Sequence, residues 1–190
     1  MALEVVHEYA DRLRGAPIKE RFFTLSSGDA PNAPGAAAAY SVAVGPVSVP
    51  ELVDRPQLVL RVAPNEVMIA EQSRWAEPLK SEIPRVIAGN LAQLLNARVS
   101  AYPQNTGGDA DYRVTVDVQR FDSTLNDAAT VEALWTVQPA KGAAKSGRSL
   151  VREATGGASY DALVVSHGRA LAAVSRDIAD AIRSMSSTAR

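Results

Sequence analysis

Apolar residues recur along this 190-residue chain in two rhythms. In one they alternate with polar residues, the period of a half-buried strand; in the other they return every three or four positions, the period of a helix lying on a core. The clearest alternation is DYRVTVDVQRF, with Val114, Val116 and Val118 on one face and Arg113, Thr115, Asp117 and Gln119 on the other. The polar face of this strand is expected to meet water or a polar partner. TVEALWTVQ repeats the pattern through Val131, Ala133, Trp135 and Val137, and RSLVREA follows a stretch, PAKGAAKSG, that reads as a flexible link. Three consecutive antiparallel strands are the simple solution.

Upstream, RFFTLSS reads as a short strand, followed by a Gly, Pro and Ala loop, GDAPNAPGAAAA, expected to be mobile. YSVAVGPVSVP places Tyr40, Val42 and Val44 on one face, then meets Gly45 and Pro46, which favour a bulge or a strand end on a sheet edge. QLVLRV and EVMIA, separated by Ala63, Pro64 and Asn65, predict a hairpin, and RVSAYP another strand before the loop QNTGGDA.

Helical spacing begins near residue 76, where Leu79, Ile83, Ile87, Leu91 and Leu94 predict a helix to about 96. Pro78 suits a first turn, whereas Pro84 removes a backbone donor deeper in and predicts a kink or a later start. From 160 to about 185, Tyr160, Val164, His167, Leu171, Val174, Ile178, Ile182 and Met185 form one stripe, with Asp161, Arg169, Arg176, Asp180 and Arg183 facing away and Ser159 as the expected N-cap. Residues 1–20 hold a short amphipathic pattern through Val5, Val6, Tyr9 and Leu13, ending at Gly15 and Pro17. The order of elements predicts an α/β chain of α+β type: one domain, a mixed, largely antiparallel sheet, and two main helices packed on it. Residues 21–186 are assigned to that domain, 1–20 to an N-terminal extension and 187–190 to a flexible tail.

Composition narrows the chemistry. Twenty Lys plus Arg against 21 Asp plus Glu give a net charge of -1, so no overall field exists to hold a nucleic-acid backbone. With no cysteine there is no disulfide, thiolate metal site or thiol nucleophile. No apolar run approaches the roughly 18 residues of a membrane span, so the chain reads as soluble as written. The two histidines, His7 and His167, leave little material for a triad or a metal centre; His167, set between Val164 and Leu171, reads as a core-boundary residue with one hydrogen bond. Asp109 with Asp111 and Asp122 with Asp127 are carboxylate pairs at loop edges, expected to serve turns. The glycines lack phosphate-cradling spacing, and no cofactor is expected.

Two stretches remain, VGPVSVPELVDRPQLVLR and RWAEPLK. Together they resemble the PqiC-type auxiliary lipoproteins of ABC-type, MCE-linked transport systems, in which a strand, a DRPQ-like turn and a hairpin lead to an RWAEPL-like helix start and an NL-containing helix. The matching residues are Val49, Pro50, Leu52, Asp54, Arg55, Pro56, Gln57 and Arg61, then Arg74, Trp75, Ala76, Glu77, Pro78 and Leu79, with Asn90 and Leu91. A weaker likeness runs through Tyr112 to Phe121, the Trp135 strand and the closing helix. The resemblance implies a periplasmic protein anchored to the outer membrane of a Gram-negative bacterium by an N-terminal lipid. It implies a role in moving lipids or other hydrophobic molecules between membranes, beside protein subunits of an MCE/ABC complex, without catalysis. Family members carry an apolar signal and a lipidated cysteine before the FFTL-like strand; here there is neither, so 1–20 is read as a replaced, mis-started or engineered leader and the chain as given cannot be acylated.

Physically, Glu77 and Pro78 suit a first helical turn, and Trp75 just before it can fold onto the sheet as an apolar anchor. Arg74 is expected to pair with Asp54 or stack on a ring, and Arg55 to do the same. Pro50, Asp54, Arg55, Pro56, Arg74, Trp75, Pro78, Leu79 and Trp135 are thus candidates for a structural fastener or a partner-binding surface, with a ring-shaped homo-oligomer as a further expectation. A different class, a small hydrolase or transferase using Asp54, Arg55, Arg74 and His167 around a cleft, would require those groups to converge. A direct lipid carrier would require an apolar cavity, which short strands and 5% aromatic content do not favour.

Overall fold

The computed structural model of the protein describes residues 19–28, 37–102 and 110–188. Its elements run β1 (Arg21–Phe23), β2 (Ser41–Ser48), β3 (Gln57–Ala63), β4 (Glu66–Trp75), α1 (Leu79–Leu95), β5 (Arg98–Ala101), β6 (Tyr112–Thr124), β7 (Ala128–Pro139), β8 (Lys145–Ala154) and α2 (Tyr160–Thr188). The amphipathic pattern within 1–18, most of the Gly, Pro and Ala loop, and QNTGGDA from 104 to 109 lie outside the described residues.

The α+β character stands, but the strands divide into two sheets where one was expected. β6, β7 and β8 form the antiparallel meander that their alternation predicts, and β2 and then β5 extend it in parallel, giving the order β5-β2-β6-β7-β8. The β3–β4 hairpin forms a separate sheet with β1 parallel on the other side of β4. A period of two shows that a strand has an inner face; it does not say which strand lies beside it.

Both helices cover the five-stranded sheet, α1 over β2 and β5 and α2 over β7 and β8, and they touch each other. Val114, Val116 and Val118 of β6 and Val131, Ala133, Trp135 and Val137 of β7 are buried beneath them, while Arg113, Thr115, Asp117 and Gln119 face outward as expected. Val164, His167, Leu171, Val174, Ile178 and Ile182 of α2 are buried, and the five charged positions predicted outside are exposed. The Ala162 amide donates to Ser159 Oγ at 3.1 Å, completing the expected N-cap.

Three local differences have physical causes. α1 begins at Leu79 because β4 runs on to Trp75, leaving three residues for the turn; Pro84 stays inside a helix that is unbroken to Leu95. Gly45 and Pro46 make the expected bulge, but in a strand flanked by β5 and β6 and not on a sheet edge, with register to β6 shifting between Val44 and Val47. Pro46 is tolerated there because β5 pairs only with Ser41–Val44, so the ladder on that side has already ended. Finally, β8 takes in Lys145, Ser146 and Gly147 from the stretch read as a flexible link. Gly147 pairs with Trp135, and a Cβ on it would lie 2.2 Å from indole Cζ2, so the glycine is where the ring needs the space.

Candidate functional site

The DRPQ-like turn and the RWAEPL-like segment meet at one end of β4. Residues 50–54 fold into a tight turn, with the Val53 and Asp54 amides donating to the Pro50 carbonyl at 3.0 and 3.2 Å. The Trp75 amide donates to the Pro56 carbonyl at 2.7 Å, and the Ala76 amide to the Phe23 carbonyl at 2.8 Å. The strand end is thereby held from both sides. Its indole, 6% exposed, packs edge-on against Phe121 of β6 at 6.1 Å and against His167 of α2 at 6.4 Å. Trp75 therefore joins the small sheet, the large sheet and a helix, and Leu79 continues this buried surface into α1.

The charged residues separate. Asp54 accepts from Lys80 Nζ at 2.6 Å, and Arg74 pairs with Glu20 at 3.0 Å. The expected Arg74–Asp54 pair is absent because residues 74 and 75 leave the strand on opposite faces, and Asp54 lies on the Trp75 side. Asp54, Arg55, Pro56, Trp75, Glu77 and Pro78 surround a hollow of about 280 Å³. Glu77 pairs with Arg85. Arg55 forms no ion pair among the described residues, although Asp54 and Glu77 line the same hollow, and its Nε is buried without an acceptor. Pro50 stands at the base of the turn, and Arg74 and Trp135 lie outside the hollow's lining.

The groups that a hydrolase would use do not converge on this hollow. His167 is fully buried, stacked on Phe121 at 3.9 Å and 6°, and its Nε2 lies 2.8 Å from Ser123 Oγ. Burial pushes its pKa down to about 3, with Asp122 pulling weakly the other way, so the ring is neutral. Ser123 is 4% exposed and His167 Nδ1 has no partner among the described residues, so among them the pair lacks both substrate access and the carboxylate that orients a catalytic histidine. Ser123 was invisible as a partner because 44 residues separate it from His167.

Besides the neighbouring Arg120, the loop-edge acids find distant bases and hydroxyls where local turn bonds were expected. Asp122 pairs with Arg61 at 3.1 Å and with Arg120, Asp127 pairs with Arg152, and Asp111 accepts from the Ser41 amide and hydroxyl at 2.7 and 2.9 Å. Asp109 lies outside the described residues.

Two further polar groups tie segment 24–28 to α1. The Leu25 amide donates to Glu82 Oε1 and the Gly28 amide to Asn90 Oδ1, each at 3.0 Å, while Asn90 Nδ2 donates to Ser175 Oγ of α2 at 3.3 Å. Glu82 is 4% exposed with Oε2 unpartnered, and burial raises its pKa to about 7 although the Leu25 amide pulls it down. Nothing in its sequence position distinguished Glu82 from an ordinary first-turn acid. Trp135 has its own network: Nε1 donates to Ser149 Oγ at 3.0 Å, and Ser149 Oγ donates to Asp177 of α2 at 2.5 Å. It fastens β7 and β8 to α2.

Among the described residues no helix is long and apolar enough to cross a membrane. Residues 23–179 match the family model described as "ABC-type transport auxiliary lipoprotein component". No curated protein matches the chain. Among solved structures, an uncharacterised protein is similar at 20% identity and a TM-score of 0.72, with 86% of this chain and 99% of that one covered. A protein from Xanthomonas campestris follows at 18% identity and 0.67, covering 84% and 92%. These likenesses concern the fold. A PelC dodecamer from Paraburkholderia phytofirmans matches at 14% identity and a TM-score of 0.41 over 79% of this chain and 90% of that one, and at that distance it bears on neither assembly nor function.

Proposed function

The chain belongs to the family of ABC-type transport auxiliary lipoprotein components, and on that premise we propose that it is a non-catalytic subunit of an MCE-type intermembrane transport system. In this reading it sits at the periplasmic face of the outer membrane of a Gram-negative bacterium, held by lipid on a cysteine ahead of β1. It supports the passage of lipids or other hydrophobic molecules, and with it envelope integrity, by binding protein subunits of the complex, and it assembles as a homo-oligomeric ring.

The observation that carries this reading is the family match spanning β1 to α2. The motif geometry agrees with it: Trp75 and Leu79 are spent on packing, while Asp54, Arg55, Pro56 and Pro78 border an open hollow suited to contact. A hydrolase or transferase is disfavoured because Arg74 and Asp54 bind other residues and His167 is sealed behind Trp75 and Phe121.

The test is co-purification from detergent-solubilised membranes of a lipidated form, given a signal sequence and an acceptor cysteine before β1, with an MCE-type protein of the same bacterium. Co-elution at a fixed ratio, with native mass spectrometry showing a closed ring, is expected. Persistent elution of the lipidated form alone would overturn the reading.

A further inference from the structure

The hollow between the 54–56 turn and the 75–78 segment is charged in an uneven way. It has two acids and one base in its lining, yet each acid is neutralised from outside it: Asp54 by Lys80 at 2.6 Å and Glu77 by Arg85. That leaves the Arg55 guanidinium as the unmatched charge. It is half-buried, its Nε is shut off from water without an acceptor, and no ion pair answers it among the described residues. A guanidinium stripped of part of its hydration and engaged in no ion pair is a state that binding an acid would relieve, because its planar fork donates to two carboxylate oxygens at once.

Arg55 is also rigidly placed. The turn that carries it is closed by the two amide bonds to Pro50 and by the Trp75 amide on Pro56, and the prolines on either side restrict the backbone. The other walls include Pro56 and Pro78, apolar surfaces that suit an aliphatic or proline side chain, with the largely buried Trp75 beside them. At about 280 Å³ the hollow is at the lower limit of the roughly 300–1,000 Å³ of small-molecule sites, and so the size of one or two amino-acid side chains rather than a lipid acyl chain.

We propose that this hollow is a peptide-docking pocket, in which Arg55 takes the carboxylate of an acidic residue on a partner protein and Trp75, Pro56 and Pro78 take an apolar neighbour. This rests on the partner-binding reading above and adds the chemistry of the contact: an acidic residue next to an aliphatic one or proline. Lys80 and Arg85 assist by occupying the acids that would otherwise repel it.

The probe is acetyl-Leu-Glu-amide, with acetyl-Leu-Gln-amide and sodium acetate as controls, titrated into the nitrogen-15-labelled full chain. The Trp75 indole and Arg55 Nε–H resonances are followed. The glutamate peptide is expected to move both saturably, with affinity about tenfold above that of the glutamine peptide and falling with salt. Arg55→Met is expected to erase the difference between the peptides without changing the unfolding midpoint, and Arg55→Lys to retain part of it. Equal shifts from both peptides, no shift at Trp75, or acetate binding as well as the peptide would each overturn the pocket. The membrane co-purification separates the two readings. A complex that forms equally well with Arg55→Met removes the pocket and leaves the transport role, whereas peptide binding by a wild-type chain that joins no complex removes the transport role and leaves the pocket.

Discussion

Trp75 meets His167 edge to face, their ring centroids 6.4 Å apart and their planes at 76°. The contact is a junction between the end of a strand in the small sheet and the middle of a helix on the large one. Phe121 completes it, stacked on His167 and edge-on to Trp75. Trp75→Ala removes the largest apolar group at that junction, and its loss is expected to cost about 3–5 kcal/mol in chemical denaturation. Trp75→Phe should cost clearly less, since an aromatic edge remains. A loss below about 1 kcal/mol for the alanine variant would contradict the fastener role.

His167 has a folded pKa near 3 against an ordinary 6.5, because burial disfavours the imidazolium. The unfolded chain therefore binds the proton first. Stability from this group is complete above pH 6.5 and is lost as the pH falls toward 3, at about 1.4 kcal/mol per unit inside that window. His167→Gln, which keeps a polar contact for Ser123 but does not titrate, is expected to rise in stability relative to the parent as the pH falls from 7 to 4.5. Denaturation midpoints across that range measure it.

Glu82 tilts the other way. Its folded pKa near 7 lies above its ordinary 4.5, so the folded chain holds the proton more tightly. The contribution is complete below pH 4.5 and is lost as the pH rises through about 7. Glu82→Gln, which keeps an acceptor for the Leu25 amide, is expected to remove a penalty of about 1–2 kcal/mol at pH 8 and to leave stability unchanged near pH 4.5. From pH 4.5 to 6.5 the two groups oppose each other. The parent's profile should therefore be flatter there than that of either single variant, and parallel slopes in all three would refute both assignments.

Gly147 lies under the Trp135 ring, and Gly147→Ala would force a Cβ to within 2.2 Å of it. The ring cannot swing away freely, because its Nε1 is committed to Ser149 and through it to Asp177. A loss of about 2–3 kcal/mol is expected. In the Trp135→Leu background the same alanine should cost much less, and thermal unfolding of the four-member cycle reads the coupling directly.

Much of this architecture is written in the chain. The alternation through Val114, Val116 and Val118 marks a strand with one wet face, and the α2 stripe, from Val164 through His167 to Ile182, marks a covered helix. Both follow because side-chain direction repeats with a fixed period in either element. The family-like segments were equally legible, since they are contiguous runs of residues. What the sequence left open are relationships across long separations. Sheet membership, the pairing of Arg74 with Glu20 and of Asp54 with Lys80, the meeting of Ser123 with His167, and the burial of Glu82 were settled by the tertiary structure alone. Local pattern specifies which way a side chain points. Which distant group it meets depends on how the sheets and helices stack, and burial, charge state and an unanswered guanidinium such as that of Arg55 exist only once they have done so.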